Sequence, residues 1–465
     1  MTVERAQLIE AFRRRGRQLW VVGGALRDEL IREIHGESPV PREDEEGQPR
    51  ADEDFATDAP PDEVEAIAEE LGAPTITVGK KFGTIGLLVD GRWTEVTTFR
   101  GESYTAGSRW PDVTFGSSIE EDLARRDFTV NALARDALAP ERPLLDLFGG
   151  KRDIELRLIR AVGDPVERFR EDPLRILRGI RFASQLDFDI EERTLEGMKR
   201  TAPLIATLSQ ERVTAELDRL LQGRAPGKGL EYLRETGALA HALPELVPMV
   251  GCEQNRFHRY DVWGHSVATV EAISVTEHRR LRRWTALLHD LGKPAVRHRK
   301  ANGEWGFYRH EVVGAELAAH LLDRLRFGKK AAQVVVLLVR RHMDRPDPED
   351  AKAVRRFMVR CQGHWRDLLA LKRADNASHT YDDREYHDRL EAACERIERE
   401  EAELLRARSP LSGDELMALF GRPPGPWIGR IKDHLSTLVL DGELAPDDKE
   451  TAARIARELL EANRV

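Results

Sequence analysis

The chain has 465 residues and a formal charge of −9; at roughly 100–200 residues per domain this makes about two to four domains, excludes a small staple-dependent fold, and leaves only a local basic patch for any nucleic-acid contact. Cys252, Cys361 and Cys394 are widely spaced without a CxxC, which excludes a disulfide framework, a zinc ribbon or an iron–sulfur site and fits a reducing compartment. The N-terminus lacks an apolar signal core and the longest aliphatic run, VVVLLV at 334–339, is far short of the ~18 residues of a membrane span, so a soluble cytoplasmic protein without a membrane partner is expected.

In chain order, 3–15 reads as an amphipathic helix, QLWVVGG as a short buried strand ending in a glycine turn, and ALRDELIREI as a helix. The stretch GESPVPREDEEGQPRA, polar and rich in Pro, Gly and acid, reads as an exposed insertion. Strands follow at PTITVG, TIGLLVD and TEVTTFR, the last two joined by a turn-like GRW into an antiparallel hairpin. From about 164 onward long segments of 3.6 periodicity, such as DPLRILRGIRFASQL and RVTAELDRLLQ, replace the strands. The fold class is therefore α+β: a head with a mixed sheet, followed by mostly helical domains. Composition breaks put the boundaries at 1–140, 141–225, 226–400 and 401–465.

Three constellations carry chemistry. In VVGGALRD, Gly23 and Gly24 stand at a strand-to-helix turn, where the missing Cβ lets backbone N–H groups approach a phosphate and the helix N-terminus adds partial positive charge. Asp52 and Asp54, alternate residues of one strand, project to the same face. Two such carboxylates repel unless a cation lies between them, and hard oxygen ligands suit Mg²⁺ carrying a nucleoside triphosphate. Glu95 in TEVTTFR supplies a third acid, and the set reads as nucleotidyl transfer with two metal ions. Arg126 and Asn131 are candidates for the sugar and phosphates of the nucleotide.

Further on, Glu171, Asp172 and Arg175 open an amphipathic helix, with Asp172 and Arg175 three apart and so side by side. Cytosine and adenine both present an amino donor beside a ring-nitrogen acceptor, whereas uracil and guanine reverse that order. Asp172 accepting from the amine and Arg175 donating to the ring nitrogen, with Glu171 orienting the arginine, would select CTP and ATP. An ordinary helical ion pair is the alternative use of the same string. The third set is His265, His289-Asp290, His310, His342 and Asp375, whose imidazoles and carboxylates suit one or two transition-metal ions. A basic stretch at 351–366 adds five Lys or Arg with Phe357 and Trp365, for phosphate contact or for pairing with neighbouring acids.

The order GGxxRD, DxDFAT, EVTTFR, RRDFTVNA, DLFGG and EDPLRxLRxxRF resembles the class II tRNA nucleotidyltransferase and bacterial poly(A) polymerase family, and GDELMALFGRPPGPWIGRIKDHL resembles the tail of its bacterial members. The resemblance implies a head, neck, body and tail, with CTP, ATP and tRNA as partners. It implies that Gly23, Gly24 and Arg27 hold the triphosphate and Asp52 and Asp54 the Mg²⁺ ions, with Glu95 accessory. Arg126, Asp127 and Asn131 would face the ribose and triphosphate, and Glu171, Asp172 and Arg175 would form the amino-acid template for the base. The acidic insertion at about 37–51, and SRWPDV where an RRP-type string is commoner, depart from the family pattern. The histidine–aspartate order resembles the HD superfamily of metal-dependent phosphohydrolases. The expected activity is CCA addition to tRNA 3′ ends, with an HD site acting on phosphate esters such as a 2′,3′-cyclic phosphate at an RNA end. CC-adding, A-adding or poly(A) synthesis, or an HD phosphohydrolase acting on RNA ends, are the alternatives.

Overall fold

The computed structural model describes residues 3–37, 54–103, 112–115, 118–255, 259–274, 278–377, 382–406, 409–440 and 443–461. The chain divides into two compact units, residues 1–342 with 374–381, and residues 343–373 with 382–465.

The first unit opens with α1 (Arg5–Arg14) and β1 (Leu19–Val22), which passes through Gly23 into α2 (Gly24–His35). Then come β2 (Asp54–Thr57), α3 (Pro61–Leu71), β3 (Thr75–Ile76), β4 (Thr84–Val89) and β5 (Arg92–Thr98). Pro61 in the first turn and the left-handed Gly72 after the last bound α3 as their missing N–H and missing Cβ allow. The expected antiparallel hairpin of β4 and β5 is present, but its turn is Asp90-Gly91, both at positive φ, and Arg92 and Trp93 of the GRW string are paired in β5. The ribbon of β6 (Arg100–Ser103) and β7 (Asp112–Phe115), helix α4 (Ile119–Ala124), β8 (Leu133–Asp136) and β9 (Leu145–Asp146) complete the head.

Among the described residues seven strands form one sheet in the order β3-β4-β5-β2-β1-β8-β9, mixed because β2 and β5 run parallel while the other neighbours are antiparallel. Helix α3 packs on β4 and β5 from one side, with α1 against α3. The other side carries a core of Val22, Ala56, Phe99, Ile119, Leu123 and Ala134, so among the described residues α4 covers the β2-β1-β8 part of that face.

Helices follow, with one short strand pair: α5 (Gly150–Leu156), β10 (Leu158–Ile159), α6 (Pro165–Glu171), α7 (Leu174–Leu186), β11 (Asp189–Ile190), α8 (Glu192–Thr201), α9 (Gln210–Leu221), α10 (Pro226–Glu235) and α11 (Leu239–Ala242). Helix α7 is buried on most of its circumference and packs on α9 and α10. Gly179 makes that possible, because a Cβ there would lie 2.4 Å from Met198 Cε and 2.7 Å from Phe128 Cζ. The segment 127–131 is thereby seated directly against α7. The unit ends with α12 (Val262–Ala272), α13 (Arg279–Leu288), α14 (Lys293–Val296), the β12–β13 ribbon (His298–Arg299 with Trp305–Gly306), α15 (His310–Arg324) and α16 (Lys329–Arg341).

The second unit contains α17 (Ala351–Arg360), most of α18 (Trp365–Asn376), α19 (Arg384–Arg406), α20 (Gly413–Phe420), α21 (Pro426–Leu440) and α22 (Lys449–Glu461). Leu411, Leu416, Ile431, Leu435, Leu444, Ala452 and Ala456 form the core under its last three helices. Among the described residues no helix is long and apolar enough to cross a membrane.

Candidate active site and metal centre

Strand β2 begins at Asp54, and its register sets Asp54 opposite Val22 on one side and Glu95 on the other. Asp54 and Glu95 therefore lie on the same sheet face, at the end of the α4-covered core. Asp52 lies outside the described residues. The glycine turn comes against this acid: Gly23 has φ +78, and a Cβ on it would stand 3.0 Å from Asp54 Oδ2 and 3.6 Å from Arg126 Nη1. Gly24 is the first residue of α2, so the free N–H groups of that helix open beside the acid.

Behind the turn, a hydrogen-bonded chain fixes the remaining candidates. Buried Arg27 donates to Asn131 Oδ1 at 2.8 Å and to Asp28, and its guanidinium lies 5.2 Å from the Phe182 ring centre. Asn131 Nδ2 donates to Asp127 Oδ1 at 3.1 Å, and Asp127 also accepts from the Phe128 N–H and from Arg178 at 2.6–2.7 Å. Burial opposes the Asp127 carboxylate, but Arg178, Asn131 and the Phe128 N–H outweigh it and hold the carboxyl at about 2. Arg126 donates to the Asn131 carbonyl and to the buried Asp122. Arg178 and Asp122 thus belong to the network although the motifs did not single them out. Arg178 was legible as the next turn of the helix from Arg175.

The base-reading residues do not share one helix, as the sequence suggested. Helix α6 ends at Glu171, Asp172 is extended at φ −142 and ψ 101, and α7 starts at Leu174 after Pro173. The cause is Pro173, which lacks an N–H and forces its predecessor out of helical conformation. Asp172 does not pair with Arg175: it caps the Leu174 N–H at 3.1 Å and accepts from Arg212 at 3.0 Å. Arg175 is buried and pinned by Glu171 Oε2 at 2.7 Å, the Arg168 carbonyl at 3.2 Å and the Arg125 carbonyl at 3.1 Å. Glu171 orienting the arginine is the part of the expected geometry that is present. Arg212 came from a helix 40 residues away and gave no local signal.

The histidine–aspartate set converges within the first unit. His265 lies on α12, His289 and Asp290 follow α13, His310 opens α15, His342 follows α16 and Asp375 lies on α18. Nδ1 of His289, His310 and His342 lies 2.8, 2.8 and 2.7 Å from the carbonyls of Ala286, Phe307 and Val339. A carbonyl only accepts, so each Nδ1 carries the proton and each Nε2 presents its lone pair inward. His265 and His289 Nε2 are 3.2 Å apart, and His310 and His342 Nε2 3.1 Å. Asp290 bridges the pairs, Oδ2 3.4 and 3.3 Å from His265 and His289, Oδ1 3.4 and 3.8 Å from His310 and His342. Asp375 Oδ1 adds a contact at 2.8 Å to His265.

Inward lone pairs at such distances need a cation or proton between them. The two donor groups, His265–His289–Asp290 and Asp290–His310–His342, fit one or two divalent transition-metal ions. Without metal, a proton serves: burial opposes charge on His289, but Asp290 and Asp375 raise it to about 10, while burial and the neighbouring His289 and His310 push His342 well below its usual value. Lys293, unremarked in LLHDLGKP, is buried with Nζ 2.6 Å from Asp290 Oδ2 and 2.6 Å from Gln254 Oε1.

The basic stretch at 351–366 resolves toward packing. Phe357 and Trp365 are buried, Trp365 donates to Glu398, and Arg355, Arg360 and Arg366 pair with Glu400, Asp344 and Glu398.

A glycine turn against sheet-borne carboxylates, continued by a helical body with an H…HD…H…H…D centre, defines a nucleotidyltransferase head joined to an HD domain. Residues 19–160 match the poly A polymerase head domain, 187–249 the probable RNA and SrmB-binding site of polymerase A, and 258–401 the HD domain. The chain is 34% identical over 439 residues to the CC-adding tRNA nucleotidyltransferase of Thermus thermophilus, covering 93% of this chain and 92% of that one. It is 33% identical over 457 residues to the CCA-adding enzyme of Streptococcus gordonii, covering 96% and 95%. The crystal structure of the Bacillus stearothermophilus CCA-adding enzyme in complex with CTP superposes with a TM-score of 0.62 at 30% identity, covering 99% of this chain and 97% of that one. The chain belongs to the tRNA nucleotidyltransferase family of the CCA-adding enzymes, whose head and HD domains are both of metal-dependent families.

Proposed function

We propose that the protein adds CMP and AMP, from CTP and ATP, to the 3′ end of tRNA without a nucleic-acid template. The observation that carries this reading is the meeting of Asp54, Glu95, the Gly23 turn and Arg126 at one end of the sheet. The oxygen donors of Asp52 and Asp54 suit Mg²⁺, which when bound lowers the pKa of the attacking ribose hydroxyl and neutralises the leaving pyrophosphate. The chain's own residues supply position: the α2 N-terminus with Gly23 and Gly24 for the triphosphate, Arg27 and Arg126 for its charge, and the Asp127–Asn131 pair to fix those side chains. In the cytoplasm, where the three buried cysteines stay unbridged, tRNA is the substrate this family acts on. The proposed division is a head at 1–140, neck at 141–225, HD body at 226–400 and tail at 401–465, with the HD centre hydrolysing phosphate esters at RNA ends.

Base selection rests on Arg175 and Asp172. Three of the five arginine N–H donors are committed to Glu171 and two carbonyls, leaving donors for a ring nitrogen. Asp172 retains lone pairs for an exocyclic amine beside its Arg212 contact. Arg175→Ala is expected to cut the preference for CTP over UTP by roughly 5- to 150-fold, the worth of one good bidentate pair. Competition between the two nucleotides reads this directly, and unchanged selection would sink the assignment. Gly23→Ala is expected to slow addition by roughly 10- to 100-fold, because positive φ strains any other residue and the new Cβ presses on Asp54 Oδ2. Single-turnover incorporation measures it, with an unchanged rate contradicting the contact.

The defining experiment uses tRNA transcripts ending at the discriminator base, after one C and after two, each with Mg²⁺ and CTP, ATP or both. Growth by three residues that then stops is the expected result. Growth only to CC, only from CC, or into long A tails would assign the narrower activity, and no growth would move the HD centre to the front.

A further inference from the structure

The face of the sheet that bears the acids continues past them, and among the described residues no helix packs on that part of it. In β5, Thr94, Val96 and Thr98 are buried on the α3 side, and in β4 so are Ile85, Leu87 and Val89. The alternate residues, Trp93, Glu95 and Thr97 with Thr84, Gly86 and Leu88, point the other way, and a Thr84–Thr97 hydroxyl contact of 3.0 Å ties the two strands on that side. The pairing aligns Ile76, Gly86, Glu95 and Asp54 in one row across four strands, with Leu88 and Trp93 as the next row. Gly86 puts no side chain between Ile76 and Glu95. Ile76 is 45% exposed and Trp93 47%, an apolar floor reaching up to the carboxylates.

The sheet order says which reactant belongs there. The candidates for the triphosphate, on the α2 turn and at Arg126 and Asn131, are attached to the β1–β8 side of Asp54. In-line displacement at phosphorus brings the attacking hydroxyl in opposite the leaving pyrophosphate. That direction is the β5-β4-β3 side. Trp93 is one strand and two residues from Asp54, about 8 Å at ordinary sheet spacings, close to one nucleotide along a single strand. Stacking on an indole accepts every base, which suits an end whose last base is the variable discriminator in the first addition cycle and C in the next two.

We propose that this face is the platform for the single-stranded 3′ end of the RNA being extended, with Trp93 stacked on a base at that end. The proposal rests on the nucleotidyl-transfer reading above and adds a positioning residue to it. Trp93→Ala and Trp93→Phe are made in the full chain and assayed with tRNA ending in CC, bearing either a normal terminal base or an abasic terminal ribose. Trp93→Ala is expected to raise the tRNA KM by roughly 5- to 150-fold, with a smaller fall in kcat and an unchanged KM for ATP. Trp93→Phe should recover most of that loss. Removing the terminal base should cost the wild type a similar factor and cost Trp93→Ala little more, a coupling that a merely structural tryptophan would not produce.

An unchanged tRNA KM overturns the proposal, and so does an equal abasic penalty in wild type and variant. A raised ATP KM instead would give the face to the incoming nucleotide. A lowered thermal midpoint with tRNA KM unchanged would give it to packing within the chain. If the wild type adds no nucleotide at all, the underlying reading fails, and direct tRNA binding by wild type and Trp93→Ala still tests the platform: equal affinities overturn it.

Discussion

Asp54→Ala is expected to reduce nucleotide addition at least ~10³-fold while the protein stays folded. The size follows from position, since Asp54 is the acid that meets Glu95, Gly23 and the helix α2 N-terminus at one point. With Asp54 as a metal-holding carboxylate, as proposed, its loss would remove several kcal/mol of charge stabilisation at the phosphorus, and each ~1.4 kcal/mol is tenfold in rate. Stability should hold because Asp54 is only half-buried at the start of β2, whereas Phe55 and Ala56 behind it carry the packing. Incorporation of labelled CMP under single-turnover conditions is the measurement, with thermal unfolding alongside. Activity within tenfold of wild type would remove Asp54 from the reacting centre. Retained RNA-end hydrolysis in the same variant would show that the two centres work separately.

The sequence was informative where chemistry is written in local strings and less so where it depends on distant partners. The glycine turn, the β4–β5 hairpin and the six histidine and aspartate positions could be read because each depends on residues near in sequence or on an unusual residue type in fixed order. The head's strand order could not, since the parallel pairing of β2 with β5 spans about 40 residues and leaves no periodic mark. Asp172 shows a different failure. A spacing of three makes two residues neighbours only within one helix, and Pro173, which disfavours helical geometry at the residue before it, separates Asp172 from Arg175. Phe357 and Trp365 had two readings on composition alone, and only burial decides between packing and stacking. Trp93 falls in the turn-like GRW by sequence, whereas β5 already begins at Arg92; its exposure becomes meaningful only when the alternation of β5 is set against the helix covering the other face.

At the second centre, Asp290→Ala is expected to abolish transition-metal binding, whereas His310→Ala should remove only the group it belongs to. Asp290 is the residue common to both donor groups, one carboxylate oxygen facing each histidine pair. Its loss also strands Lys293, a buried cation 2.6 Å away, and an uncompensated buried charge costs about 3–5 kcal/mol. Some loss of stability is therefore expected from Asp290→Ala whether or not metal binds. His310→Ala separates the effects, because it leaves the Asp290–Lys293 pair and the His265–His289 group in place. Metal content measured on purified protein equilibrated with Mn²⁺, Co²⁺ or Ni²⁺ should fall to none in the first variant and to at most one ion in the second. Metal should raise the thermal midpoint of the wild type, as any ligand specific to the folded state does, and should no longer do so in Asp290→Ala. Equal metal content in wild type and Asp290→Ala would mean that the convergent imidazoles hold their ion without the bridging carboxylate, and the shared-ligand arrangement would be wrong. Nucleotide addition should remain in both folded variants, because no residue of this centre belongs to the set around Asp54.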